Sequence, residues 1–149
     1  MRARLFAVVL MLAPALVAAP VPKAVAKKTD AELLEGRWEC VTLDGGSGPD
    51  GGKGSTDYWF TVRDGKLYTG VGESKGYDAV TFKLDPDQSP KRIDITSGGV
   101  VLPCIYKLED DTLTWCHPQD RQPRPTEFKG GNGCYCFLFK RVPDEKKDK

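Results

Sequence analysis

Gly36-Arg37-Trp38 opens a series of short alternating segments that ends in Phe137-Leu138-Phe139-Lys140-Arg141, and these two stretches decide the fold. A glycine two residues before a tryptophan, answered by an arginine on the last segment, is what a small antiparallel barrel uses to close. The first strand must pair with the final one, and Arg141 can then cover the face of Trp38 by a cation–π contact. Trp38 and Arg141 are the expected closure pair.

The segments between them read as strands and turns. Trp38 to Leu43 is the first strand, and Gly45 to Gly54 follows as a glycine-rich loop. Tyr58 to Val62 alternates, Asp64-Gly65 is a two-residue hairpin signal, and Lys66 to Val71 returns. Pairing across that turn sets Val62 against Leu67, Phe60 against Thr69 and Tyr58 against Val71, which brings apolar faces together as register requires. Val80, Phe82 and Leu84 alternate with polar residues, a Pro86–Pro90 loop intervenes, and Ile93 and Ile95 continue the pattern. Leu102 to Leu108 and Thr112 to His117 form a second hairpin around Asp110-Asp111, with Leu108 facing Leu113 and Tyr106 facing Trp115. Pro118 to Pro125 interrupts pairing, and Cys134 to Arg141 closes the series. The fold class is therefore all-β, an antiparallel up-and-down β-barrel of about eight strands, the number that closes around side chains or one small ligand.

Residues 1–26 read as an export signal: Arg2 and Arg4 start it, Leu5 to Leu12 is apolar, and Ala24-Val25-Ala26 offers a cleavage pattern. That run is too short for a bilayer span, and no later segment approaches one. Cleavage after Ala26 leaves 123 of the 149 residues, enough for one core without a metal. Residues 27–35 carry a short N-terminal helix that Thr29 or Asp30 can cap and Gly36 stops. Residues 36–142 form the β domain and 143–149 a charged, frayed tail. The signal holds Arg2, Arg4 and Lys23 and no acids, so the net charge of +1 becomes −2 without it. Charge this mixed argues against a nucleic-acid partner, which demands a basic face.

With these segments in place, the chain resembles an uncharacterised exported domain family expanded in planctomycetes. The stretches that carry the resemblance are Leu34-Glu35-Gly36-Arg37-Trp38, Phe82-Lys83-Leu84-Asp85-Pro86, Pro90-Lys91-Arg92-Ile93-Asp94, Ile105-Tyr106-Lys107-Leu108, Asp111-Thr112-Leu113, Arg124-Pro125-Thr126-Glu127-Phe128 and Leu138-Phe139-Lys140-Arg141. They run through nearly the whole chain after the signal. The resemblance implies a lipocalin-like fold and export to the periplasm or the extracellular space. It implies no activity, and it carries no functional residues over.

Alternation sorts the five cysteines. Cys40 shares the inward face of Trp38, and Cys104 that of Tyr106. Cys116, Cys134 and Cys136 point outward. A bridge from Cys116 to Cys134 or Cys136 joins neighbouring strands, whereas Cys134–Cys136 lies near the outer limit for a disulfide. A zinc site from these three with His117 is not expected, because the spacings match no zinc knuckle and His117 projects from the opposite face. His117 is the only histidine. Facing inward beside a strand-ending proline, it can ligate a haem or contact a ligand; the plainer reading is a rim residue bonded to a backbone carbonyl.

The remaining motifs reduce to structure. Gly45–Gly54 lacks the first P-loop glycine and a following helix, and the loop that begins at Asp85 has Pro90 where a calcium loop needs glycine. There is no GxSxG or HExxH, and Glu127 reads as a surface partner of Arg124 with Phe128 as a plug. No catalytic residue, cofactor or metal is assigned. Trp38, Tyr58, Phe60, Phe82, Tyr106, Trp115, Tyr135, Phe137 and Phe139 share the inward phase, and their bulk favours a filled interior over a pocket. The functional reading is non-catalytic binding of a small apolar ligand at a barrel mouth near Tyr106, Trp115 and His117. The alternative is a solid-core interaction or envelope module with no cavity, which recognises a protein through its loops.

Overall fold

Eight segments with period-two alternation form eight strands in the computed structural model, which describes residues 27–45, 56–73, 75–76, 79–119, 122–131 and 133–143. The expected signal over 1–26, the glycine-rich loop beyond Gly45 and the tail beyond Pro143 lie outside the described residues. A single helical turn, α1 (Asp30–Leu34), precedes β1 (Gly36–Asp44), β2 (Tyr58–Arg63), β3 (Lys66–Val71), β4 (Val80–Asp85), β5 (Lys91–Ser97), β6 (Val100–Glu109), β7 (Thr112–Pro118) and β8 (Cys134–Val142). Each strand pairs antiparallel with the next, and β8 returns to β1, so the sheet is a closed up-and-down barrel. Among the described residues no helix is long and apolar enough to cross a membrane.

The hairpin registers follow from the turns. Asp64 and Gly65 both take positive φ (53° and 67°), the geometry that continues the twist of the flanking strands. It pairs Val62 with Leu67, Phe60 with Thr69 and Tyr58 with Val71. Across the β6–β7 turn, Leu108 meets Leu113 and Tyr106 meets Trp115. One ladder is short: β3 and β4 pair only at Lys66–Thr81 and Leu67–Val80. Beyond that point no ladder pair joins β3 to β4 among the described residues, and Gly76 of the connection lies against the Thr69 carbonyl and the Trp59 ring.

Closure rests on β1 and β8, where Trp38 stands opposite Arg141. The Arg141 guanidinium lies 4.2 Å over the Trp38 ring. It also donates to the Glu35 carbonyl at 2.5 Å and to the Leu33 carbonyl, so one side chain ties the last strand to the end of α1. Trp38 Nε1 donates to the Leu34 carbonyl at 2.9 Å, and the ring is fully buried. Gly36 has φ +112°, and a Cβ there would come within 3.1 Å of the Arg141 guanidinium. The glycine is needed for both the backbone and the passage of that arginine.

The short helix expected within 27–35 is the single turn α1, with Thr29 as its cap. Thr29 accepts the Glu32 N–H at 3.3 Å, and the Glu32 carboxylate accepts the Thr29 N–H at 2.7 Å. Leu34 is buried and plugs this end of the barrel. Asp30 accepts from Lys91 Nζ at 2.7 Å and from the Tyr106 hydroxyl at 2.6 Å, which fastens α1 to β5 and β6. Burial pushes the Asp30 carboxyl up, but the hydrogen bonds from Lys91 and Tyr106 with the Lys91 charge outweigh it and hold the group below the usual carboxylate range.

Inside, Phe60 is the hub: it stacks on Trp38 with centroids 6.0 Å apart and meets Phe139 and Trp115 edge-on at 4.9 and 5.6 Å. Cys40 and Cys104 are buried among these residues, and burial pushes the Cys104 thiol up to about 12. A second apolar cluster lies on the outer face of the wall, built from Ile105 and the Cys116–Cys136 disulfide. The bond joins register partners on β7 and β8, and Cys134 stays a half-buried free thiol beside it.

The chain after β7 folds back against that outer face. Arg124 donates to the Cys104 carbonyl and to Asp94, both at 2.5 Å. The expected partner Glu127 is exposed instead, since Asp94 on β5 offers a carboxylate beside a strand carbonyl that one guanidinium can reach together. Phe128 is also exposed, so it plugs nothing. Gly130 donates to the Asp44 carboxylate, and a Cβ there would fall 2.2 Å from the Asp44 backbone, so only glycine permits this approach.

Three outcomes follow. Arg141→Ala loses about 3 kcal/mol in urea unfolding, from the cation–π contact and two charge-assisted hydrogen bonds, and Arg141→Lys recovers only a minor part. Reduction of the Cys116–Cys136 bridge, which closes a separation of 20 residues, costs about 3 kcal/mol; peptide mapping without reductant finds that pair linked and Cys134 alkylated. The Asp30 contribution, about 1 kcal/mol, is complete above the unfolded carboxylate pKa of about 4 and disappears as pH falls through the lower folded value. The stability gap between the native protein and Asp30→Asn therefore closes on acidification.

Candidate functional site

The two ends of the barrel interior differ. At the α1 end, Leu34, Phe60, Val62, Leu67, Ile93 and Tyr106 leave a void of about 10 Å³, too small for any ligand. At the other end lies an open cavity of about 460 Å³, within the range of small-molecule sites. The expected filled interior is thus half correct. The aromatic set packs solid only where α1 caps it.

Every strand except β1 contributes to the lining of the cavity. Trp115 and His117 come from β7, Phe137 and Phe139 from β8, Tyr58 and Phe60 from β2, and Ile95 and Ser97 from β5. Thr69, Gly70 and Val71 line it from β3 beyond the end of the β3–β4 ladder, and Val80 lines it from β4. Tyr58 and Phe137 meet edge-on at 5.6 Å across the interior, and Phe137 stacks on Phe139 at the same spacing. The walls are mostly apolar and aromatic, with isolated hydroxyls from Tyr58, Thr69 and Ser97.

His117 is the one titratable nitrogen base of this lining. Its ring stacks on Phe137 at 5.5 Å with 18° between planes and lies 5.3 Å from Tyr135. Nδ1 is 2.9 Å from the Pro118 carbonyl oxygen. A carbonyl oxygen only accepts, so Nδ1 carries the proton. Burial holds the imidazole below its usual pKa against the opposing pull of that carbonyl, which keeps it neutral at pH 7. Among the described residues Nε2 has no hydrogen-bond partner. Trp115 Nε1 is buried without a conventional partner and approaches only the Cys104 thiol.

Of the three residues expected at the mouth, Trp115 and His117 line the cavity and Tyr106 does not. Register places Tyr106 beside Trp115, but its side chain leans toward the closed end, drawn by the Asp30 carboxylate. Sequence reading passed over Phe137 and Tyr58 as site residues although both fall on the inward phase. The signal was available in the ladder, where Trp115 opposes Phe137. The contribution of Thr69 to Val71 depends on where the β3–β4 ladder stops, and no residue type announces that. Among the described residues no group of three or more His, Cys, Asp or Glu side chains is assembled that could hold a metal ion.

No family model, no curated protein and no solved structure matches this chain.

Proposed function

We propose that this protein is an exported, lipocalin-like binder of a small apolar ligand, a member of the planctomycete-expanded family that its sequence resembles. The observation that carries the reading is the open cavity of about 460 Å³ at the end opposite α1, walled by Trp115, Phe137, Phe139 and Tyr58. A cavity of that size and lining gains on the order of 25 cal/mol for each Å² of ligand surface removed from water. Export is supported by the apolar start of the chain and by the Cys116–Cys136 bridge, which persists only in an oxidising compartment. The exposed charges Arg37, Glu39, Lys83, Lys107 and Lys140 on the strands support a water-facing outer wall. A solid-core interaction module is less well supported, because only half of the interior is solid.

The test is a titration with the fluorescent apolar probe N-phenylnaphthylamine. The native protein enhances its emission saturably, with one site per chain. Leu102→Trp fills the cavity from β6 and weakens that binding by at least about tenfold while the circular dichroism stays that of the native barrel. Binding that survives this substitution unchanged rejects the cavity as the site.

A further inference from the structure

The cavity contains an uncommitted hydrogen-bond acceptor, and it selects among apolar ligands. The Pro118 carbonyl takes the Nδ1 proton of His117, which leaves Nε2 as a lone pair. The ring cannot turn that nitrogen over without breaking the Pro118 contact, and the stack on Phe137 fixes its plane. The other polar side-chain groups of the lining are the hydroxyls of Tyr58, Thr69 and Ser97, which rotate to donate or accept, and the indole N–H groups of Trp59 and Trp115, which only donate. Among the described side chains of the lining, His117 alone offers a fixed acceptor with no proton to give.

We propose that His117 Nε2 accepts a hydrogen bond from the hydroxyl of the bound ligand, so that the site takes apolar alcohols and phenols in preference to the matching ethers and hydrocarbons. The inference rests on the cavity reading above and adds the ligand class. A hydrocarbon buried against Nε2 strips water from the lone pair and returns nothing, which costs about 1–3 kcal/mol. A hydroxyl replaces that water directly. An aromatic alcohol gains twice, since its ring faces Phe137 and Phe139 while its O–H meets the imidazole. A group that only accepts gains nothing at this position, because neutral His117 has no second proton to offer it.

Naphthol and its methyl ether separate this proposal from the reading it depends on. They share one apolar skeleton, and only the first has a proton to donate. Calorimetry on the native protein finds naphthol bound about tenfold more tightly than the ether. With His117→Phe, which keeps a ring on Phe137 and removes the acceptor, the two affinities come within about twofold of each other. Because His117 is the only histidine, nitrogen-15 spectra of labelled protein report it without a variant. The Nε2 resonance moves when naphthol is added and stays when the ether is added. Equal affinities with an unmoved Nε2 overturn the hydroxyl assignment and leave the apolar cavity standing. A naphthol preference that persists in His117→Phe places the acceptor elsewhere and also overturns it. Failure of both compounds to bind overturns the cavity reading itself.

Discussion

The fold depends on Arg141. A sheet that pairs each strand with its chain neighbour needs one non-local ladder to become a barrel, and here that ladder joins β1 to β8. Backbone pairing alone would leave the seam as the weakest line of the wall. The Arg141 side chain reinforces it from above: its plane covers the Trp38 ring, and its two ends hold the Leu33 and Glu35 carbonyls. Those carbonyls are the ones a helix ending at Leu34 leaves without partners. The same contact therefore caps the helix C-terminus, buries the largest core side chain and fixes the last strand. A lysine, with a point charge and no plane, cannot do all three.

The asymmetry of the interior grows from that end. With α1 held by Arg141 on one side and by the Asp30–Lys91–Tyr106 contacts on the other, Leu34 sits as a plug, and the aromatic hub around Phe60 packs onto it. Nothing comparable covers the opposite end among the described residues. There the β3–β4 ladder stops early, and Phe137, Trp115 and Tyr58 stand around space instead of filling it. One half of the barrel is packed solid and the other encloses the cavity. This division places the aromatic residues of a single inward phase in two different roles.

Much of the fold was legible because strands obey a period of two. Once Asp64-Gly65 and Asp110-Asp111 fixed two turns, the partners of Phe60, Val62, Tyr106 and Leu108 followed. The same alternation put Cys116 and Cys136 on one outer face, where they are bonded. Alternation says which face a side chain takes, however, and not which way it leans along the barrel axis. Tyr106 was expected near His117 for that reason and is found bonded to Asp30, a partner 76 residues away in sequence. Arg124 illustrates a second blind spot. Its partner Asp94 belongs to a strand far from it in the chain, and the docking of an irregular segment onto a sheet has no periodicity to read. His117 lies between these cases: its inward face and its carbonyl bond were legible, whereas an Nε2 without a partner among the described residues shows only in the folded arrangement.

Cys104 turns the closed barrel into its own clock. Only a thiolate attacks an alkylating reagent, and this thiol lies fully inside the wall with its ionisation pushed up to about 12. While the seam between β1 and β8 is shut, the group is chemically silent at neutral pH. Each opening that admits solvent restores an ordinary cysteine, so the labelling rate of Cys104 counts how often the barrel comes apart. Cys134, half-buried on the outer wall, reacts from the folded state and supplies the internal reference. A single mass spectrum of the two peptides over time thus reads the lifetime of the closed form from the molecule's own side chains.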